Sequence, residues 1–229
     1  MSDNDDNEDN DDQINSCEMR VKSVLLGDSG VGKTSIIRQF IDHVFSPNCH
    51  SSVSSSFSSR IIDIDISNTK KSINFDLWDT AGEEKYRSLA KIFYKDAKVI
   101  IFVYDITSQP TFDGLKNYWY EQIKINCEKE AILAVVANKN DLYADQVVSD
   151  EVGQKFADDI GAIFQSTSAL SDSGIGKLFD HIGRKYIDVD YDYKDLDNKA
   201  KDKYEKKLKN QNQNNDDNNK KVKLSNTNI

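Results

Sequence analysis

The 229-residue chain predicts an α/β fold: a mostly parallel, six-stranded sheet with helices on both faces. Three observations carry that expectation. Val99 to Tyr104 (VIIFVY) and Ile132 to Ala137 (ILAVVA) are unbroken apolar runs, amphipathic stretches lie between such runs, and a glycine-rich loop, GDSGVGKT, joins a strand-like segment to a helix-like one. Strands covered on both faces read as continuous β-branched runs, and their alternation with helices implies right-handed crossovers.

Taken in order, Arg20 to Leu26 (RVKSVLL) predicts the first strand, and Lys33 to His43 (KTSIIRQFIDH) predicts a helix from its apolar spacing. Arg60 to Ile66 (RIIDIDI) and Ser72 to Trp78 (SINFDLW) alternate apolar with polar residues, which predicts an antiparallel hairpin closed at Asn68-Thr69. The runs at 99–104 and 132–137 and a short strand at Ile163 to Gln165 complete the sheet. Helices are expected at Thr111 to Ile125, Ser149 to Ile160 and Ile175 to Ile187. In such folds ligands bind beyond the carboxyl ends of the strands.

With 38% hydrophobic residues the chain can fill one core of ordinary size. Its net charge of -9 is uneven: seven carboxylates fall in the first sixteen residues, which hold no lysine or arginine, so the remainder carries -2. Residues 1–18 are therefore expected to be an acidic disordered segment, 19–188 the domain, and 189–229 a Lys/Asn-rich low-complexity tail. No basic footprint for nucleic acid is present. Cys17, Cys49 and Cys127 lie far apart, as do His43, His50 and His181, which predicts reduced thiols and no protein-made zinc site. The longest apolar run is too short to span a bilayer, and a soluble, cytoplasmic protein is expected.

The glycine-rich loop satisfies GxxxxGK[ST] between a strand and a helix, the context in which it wraps phosphates. Gly27, Asp28, Ser29, Gly30, Val31, Gly32, Lys33, Thr34 and the following Ser35 are expected to hold a nucleotide: backbone N–H groups point inward, Lys33 adds a point charge, and Thr34 offers a hydroxyl to Mg²⁺. A chance glycine turn is the bland alternative, against which both flanks speak. Asn138 to Asp141 (NKND) follows the fifth strand, with Asn138, Lys139 and Asp141 as candidates. The Asp141 carboxylate can accept from N1–H and the exocyclic amine of guanine, whereas adenine would leave it unpaired. Ser168-Ala169 fits a loop presenting a backbone N–H to the base. Trp78 to Glu84 (WDTAGEE) supplies Asp79, Thr80, Ala81, Gly82 and Glu83, with Asp79 placed for Mg²⁺ and Gly82 for close backbone approach to a terminal phosphate.

In their order and spacing GDSGVGKT, WDTAG, NKND and SA resemble the small GTPases of the Ras superfamily, from about Met19 to Ile187. The stretch KYRSLAKIFYKDAKVIIFVYDIT resembles the Rab branch, endocytic Rabs especially. The resemblance implies a phosphate-loop G domain, monomeric, that binds GTP and GDP with Mg²⁺ held by Thr34, Ser52 and Asp79, with Lys33, Gly82 and Glu83 catalytic. It implies effectors bound through Cys49 to Phe57, Trp78 and Phe93, together with exchange and GTPase-activating factors, and Phe45 stacked on guanine. Plain core packing is the alternative for Phe45 and for the Phe57, Trp78 and Phe93 trio.

Three departures qualify the likeness. Ser52 to Phe57 reads SVSSSF where Rabs read TIGVDF, so Ser52 keeps a hydroxyl, Ser54 replaces a glycine and Ser56 replaces an aspartate. Glu83 stands where the family carries the water-orienting glutamine; either its charge slows hydrolysis or its side chain swings into solvent. The chain ends KVKLSNTNI with no cysteine to prenylate, so no direct lipid anchor is expected and endomembrane association would be peripheral and partner-dependent. The expected function is a Rab-like GTP-hydrolysing switch in vesicle trafficking; the alternative is a guanine-nucleotide-binding interaction module with little or no hydrolysis. A phosphate-loop kinase or ATPase fits less well, because NKND selects guanine.

Overall fold

The computed structural model describes residues 19–46, 56–66, 69–80, 93–126 and 130–198. The acidic segment 1–18, the tail beyond 198, Cys17, Cys49 and Cys127 lie outside them. Six strands form one sheet: β1 (Met19–Leu26), β2 (Ser56–Ile66), β3 (Thr69–Asp79), β4 (Val99–Asp105), β5 (Ile132–Asn138) and β6 (Ile163–Thr167), in spatial order β2-β3-β1-β4-β5-β6. Every neighbouring pair is parallel except β2 and β3, which form the expected antiparallel hairpin, with Ile66 opposite Thr69. Thr69 is thus a paired strand residue and not part of the connection.

Among the described residues the helices include α1 (Lys33–Asp42), α2 (Gln109–Gly114), α3 (Tyr120–Asn126), α4 (Asp150–Asp159) and α5 (Ile175–Ile187), and residues 193–198 are also helical. A π-helical turn, Leu115–Trp119, runs α2 into α3, so the helix expected at 111–125 contains a local widening that its periodicity did not disclose. Two apolar clusters lie on opposite faces of the sheet. One joins α1 and α5 to β1, β3 and β4 through Phe40, Phe75 and Phe179; the other seats Phe112, Leu115, Trp119 and Ala157 against Phe102 and Tyr104. Phe40 stacks on Phe179 with ring centroids 3.6 Å apart, while Phe75 meets Phe179 edge-on at 5.3 Å. These faces make the chain three-layered and leave the carboxyl ends of β1, β3, β4, β5 and β6 along one rim.

Most boundaries shift by one to three residues from expectation, and three differences bear on the site or on the tail. β2 begins at Ser56 because its serines pair across the hairpin, Ser56 opposite Asp79 and Phe57 opposite Trp78, so part of the serine run is strand. β6 extends to Thr167, whose buried hydroxyl donates to Asn138 Oδ1 at 3.1 Å. The start of the expected solvated tail instead packs on the domain. Tyr191 Oη lies 2.7 Å from His181 Nδ1 on α5, Tyr193 Oη accepts from Gln154 Nε2 at 2.8 Å, and Lys194 pairs with Asp158 at 2.6 Å. Burial pushes His181 below the ordinary histidine value and raises the Tyr191 hydroxyl to about 12.

Candidate nucleotide and metal site

The phosphate loop bends where only glycine fits comfortably. Gly27 lies at φ 152° with the Val103 carbonyl where a Cβ would sit, and Gly32 lies at φ 101° against the Asn138 amide. The loop is therefore clamped between β4 and β5 before any ligand is considered. Lys33 is only 5% exposed, and its ammonium donates to the carbonyls of Gly27 at 2.8 Å and Asp28 at 2.9 Å. Burial lowers its pKa to about 8, against the pull of Asp79 and Asp28. An ammonium poised in this way gains most from an anionic ligand, since the phosphate offsets the desolvation that burial imposes.

That shift has a measurable consequence in nucleotide-free protein. Lys33 binds its proton more weakly folded, at about 8, than at the ordinary lysine value of 10.5. Stability therefore rises with pH across that window, by about 3 kcal/mol in total, and this contribution is flat below the folded value. Thermal unfolding between pH 8 and pH 10.5 is expected to show that slope for native protein minus Lys33→Met. An identical pH profile in the two proteins would refute it.

At the start of α1 the Thr34 hydroxyl donates to Asp79 Oδ2 at 2.6 Å, and Asp79 is 2% exposed. A hydroxyl and a carboxylate beside a phosphate loop are hard oxygen donors of the kind that share Mg²⁺ with phosphate oxygens. Thr80 turns away from the loop and donates to the Leu25 carbonyl at 2.7 Å, tying the end of β3 to β1. Its side chain is structural. Ala81, Gly82, Glu83 and Ser52 lie outside the described residues.

The base-side residues converge as a network. Asn138 donates from Nδ2 to the Val31 carbonyl at 2.8 Å, locking the phosphate loop to the end of β5. Lys139, in a left-handed conformation at φ 69°, pairs with Asp105 at 2.6 Å. Burial opposes the charge on Asp105, yet the Lys139 pair and bonds from Thr107 hold its carboxyl below the ordinary value. Asp141 accepts a short hydrogen bond from the Ser168 hydroxyl, which fixes the carboxylate in one orientation. Ser168 N–H is taken by the Ser173 carbonyl, and the N–H groups of Leu170 and Ser171 go to Ser168 Oγ. Ser168 thus orients Asp141 through its side chain, while its own backbone N–H is taken within the loop.

One contact carries no sequence signal. The π turn brings Trp119 Nε1 within 3.0 Å of Asp28 Oδ1, while Gly114 packs against the same carboxylate. Asp28, expected among the nucleotide ligands, anchors the phosphate loop to this helix through its side chain. Phe45 is half-buried against the α1/α5 core cluster. Phe57, Trp78 and Phe93 do assemble: ring centroids are 5.3 Å apart for Phe57 and Trp78 and 5.8 Å for Trp78 and Phe93, with Phe57 50% exposed.

A glycine-lined phosphate loop tied to the end of β5 by Asn138, at the carboxyl rim of this sheet, has the form of a phosphate-loop nucleotide-binding site. The Ras family model matches residues 22–188, and the chain belongs to that family. It is 39% identical over 172 residues to the Ras-related protein RabJ of Dictyostelium discoideum, a match covering 75% of this chain and 65% of RabJ. It is 36% identical over 170 residues to the Ras-related protein Rab-22A of Homo sapiens, covering 74% of this chain and 85% of that protein. The matched stretch thus spans just under two thirds of RabJ and most of Rab-22A. Within the Ras family the chain falls in the Rab branch of small GTPases, proteins that bind GTP and GDP, hydrolyse GTP and act as switches in vesicle trafficking. No helix among the described residues is long and apolar enough to cross a membrane.

Proposed function

We propose that this chain cycles between GTP- and GDP-bound states with Mg²⁺ held by Thr34, Asp79 and Ser52, and hydrolyses GTP slowly. The observation that carries the reading is the Thr34 to Asp79 contact at 2.6 Å beside a buried Lys33, a phosphate and cation site in one place. Mg²⁺, when bound, neutralises charge that develops on the phosphates. The phosphate-loop N–H groups and Lys33 orient the β- and γ-phosphates. Asp141, held by Ser168, and the Ala169 N–H fix the base, and Asn138 keeps the two halves of the site in register. Phe45 stacks on the guanine ring from the end of α1.

The two switches meet at the β2/β3 edge. Ser52 belongs to the segment that leads into β2, and pairing of Ser56 with Asp79 sets the start of that strand beside the cation position. A segment ordered by the γ-phosphate then hands its state to Phe57, Trp78 and Phe93, over which Lys22 Nζ also lies 5.5 Å from the Trp78 ring. Effectors read this aromatic face, exchange and activating factors act on the same switches, and association with endomembranes is peripheral, through a partner. The chain acts as a monomer, with residues 19–188 as the nucleotide-binding domain.

Nucleotide extracted from purified protein is expected to be GDP or GTP, one per chain. Ser52→Ala is expected to speed GTP release more than GDP release when Mg²⁺ is present, since its hydroxyl serves the cation and its neighbourhood the γ-phosphate. Equal acceleration for both nucleotides removes Ser52 from the metal set. A chain that retains no guanine nucleotide would overturn the whole reading.

A further inference from the structure

We infer that His43 is a positioning residue for nucleotide retention: its ring bridges Arg60 and Asp172, pinning the end of α1 and strand β2 to the loop that carries Ser168 and Ala169. The inference rests on the guanine-nucleotide reading above. His43 caps the C-terminus of α1, two residues before Phe45, and its N–H donates to the Gln39 carbonyl at 3.1 Å. Its Nδ1 lies 3.2 Å from Asp172 Oδ2, and Arg60 Nη1 lies 3.4 Å from Nε2. Three segments distant in sequence therefore meet at one imidazole.

The chemistry of the ring fixes how it is used. Arg60 is only a donor, so Nε2 must accept, and the neutral tautomer that satisfies both neighbours carries its proton on Nδ1, pointed at the Asp172 carboxylate. Arg60 is itself held, donating to the Phe40 carbonyl with its guanidinium 4.9 Å above the Phe40 ring. Arg60 sits on β2, four residues from its first residue, Ser56. The bridge thus reaches the strand into which the first switch leads.

The other end of the bridge is the base loop. Asp172 lies between Ser168, which orients Asp141, and Gly174, the N-cap of α5, and the loop is closed by paired bonds between Ser168 and Ser173. His43 and Asp172 both occupy the left-handed region, at φ 54° and φ 56°. Neither is glycine, and this conformation disfavours most side chains. Of the four non-glycine residues at positive φ among the described residues, His43, Asp96, Lys139 and Asp172, two therefore face one another across the bridge. Locking them fixes the approach of Phe45 on one side of the base and of Asp141 and Ala169 on the other.

The substitutions that test this keep the backbone comfortable, because asparagine tolerates the left-handed region. His43→Asn removes the ring and is too short to reach both partners; Asp172→Asn removes the charge. Release of a fluorescent GDP analogue, followed after adding excess unlabelled GDP, is expected to be about two- to fivefold faster in each variant, the range of an exposed, partly screened contact. The double variant should release no faster than the quicker single one, because both remove the same bridge. GDP and GTP analogues should be accelerated equally, since the effect acts on the base side. Multiplicative effects in the double variant, or release within 1.5-fold of native in both singles, overturn the inference while leaving nucleotide binding intact. Failure of native protein to bind the analogue would instead overturn the underlying reading.

Discussion

Asp141→Asn is expected to lower affinity for GDP by about a hundredfold or more, while raising affinity for the xanthine nucleotide. In the proposed arrangement the carboxylate accepts two hydrogen bonds from guanine, each charge-assisted and worth about 1.5 to 3 kcal/mol. A carboxamide can accept only one of them, and its amide hydrogens then oppose the guanine amine. In the structure Ser168 Oγ holds Oδ1 of Asp141. The same hydroxyl can hold the asparagine oxygen, leaving the amide nitrogen at the base. Xanthine carries an oxygen where guanine carries the amine, so the asparagine would face an acceptor in place of a donor. Displacement of a bound fluorescent nucleotide by GDP and by XDP separates the outcomes. Parallel losses for both nucleotides would mean that the substitution disrupts the loop and that Asp141 does not read the base.

Removing the hydroxyl that orients Asp141 should act in the same direction but less strongly. The comparison shows why the motif alone understates the site. NKND marks the carboxylate, yet its orientation depends on Ser168 and the position of its strand on the bond from Asn138 to the Val31 carbonyl. These contacts cross more than a hundred residues of chain in one case and twenty-seven in the other. They are properties of the fold.

The sheet was legible where burial is complete. β4 and β5 are apolar at nearly every position, and their seven-residue length and content of isoleucine and valine decide for a buried strand over a buried helix. The helices of the α1/α5 face were equally plain, and α5 follows its predicted bounds. Legibility fell where a residue's partner lies elsewhere. The β2 serines look like a linker because nothing local favours a strand; they pair because β3 opposes them in register. Trp119 looks like an ordinary core tryptophan until the π turn aims its N–H at Asp28. Residues 188–198 read as solvated by composition, yet Tyr191 and Tyr193 bring apolar bodies to α5 and α4 while Lys194 and Asp197 find Asp158 and Lys177. The paired tyrosines of YDY were the available sign, obscured by the surrounding charge.

Glu83→Gln is expected to speed single-turnover GTP hydrolysis at least tenfold. An ionised carboxylate at the position of the attacking water can accept from it but cannot donate toward the transition state. If Glu83 occupies the place of the family's glutamine, as proposed, it would also add a negative charge beside the γ-phosphate: two unit charges about 4 Å apart repel by roughly 4 kcal/mol at an effective dielectric of 20. Glutamine removes the repulsion and supplies a donor. Since each 1.36 kcal/mol is a factor of ten in rate, even a third of that repulsion realised in the transition state gives the tenfold gain. The measurement is phosphate release from preloaded GTP after Mg²⁺ addition, with GDP release followed in parallel so that exchange is not mistaken for chemistry. Lys33→Met in the same background should abolish the gain, because the ammonium that steadies the β- and γ-phosphates is needed whichever residue stands at 83. If Glu83→Gln leaves the rate unchanged, the carboxylate does not face the phosphate, and a slow cycle would have to be traced to Ser52 and the serine run that leads into β2.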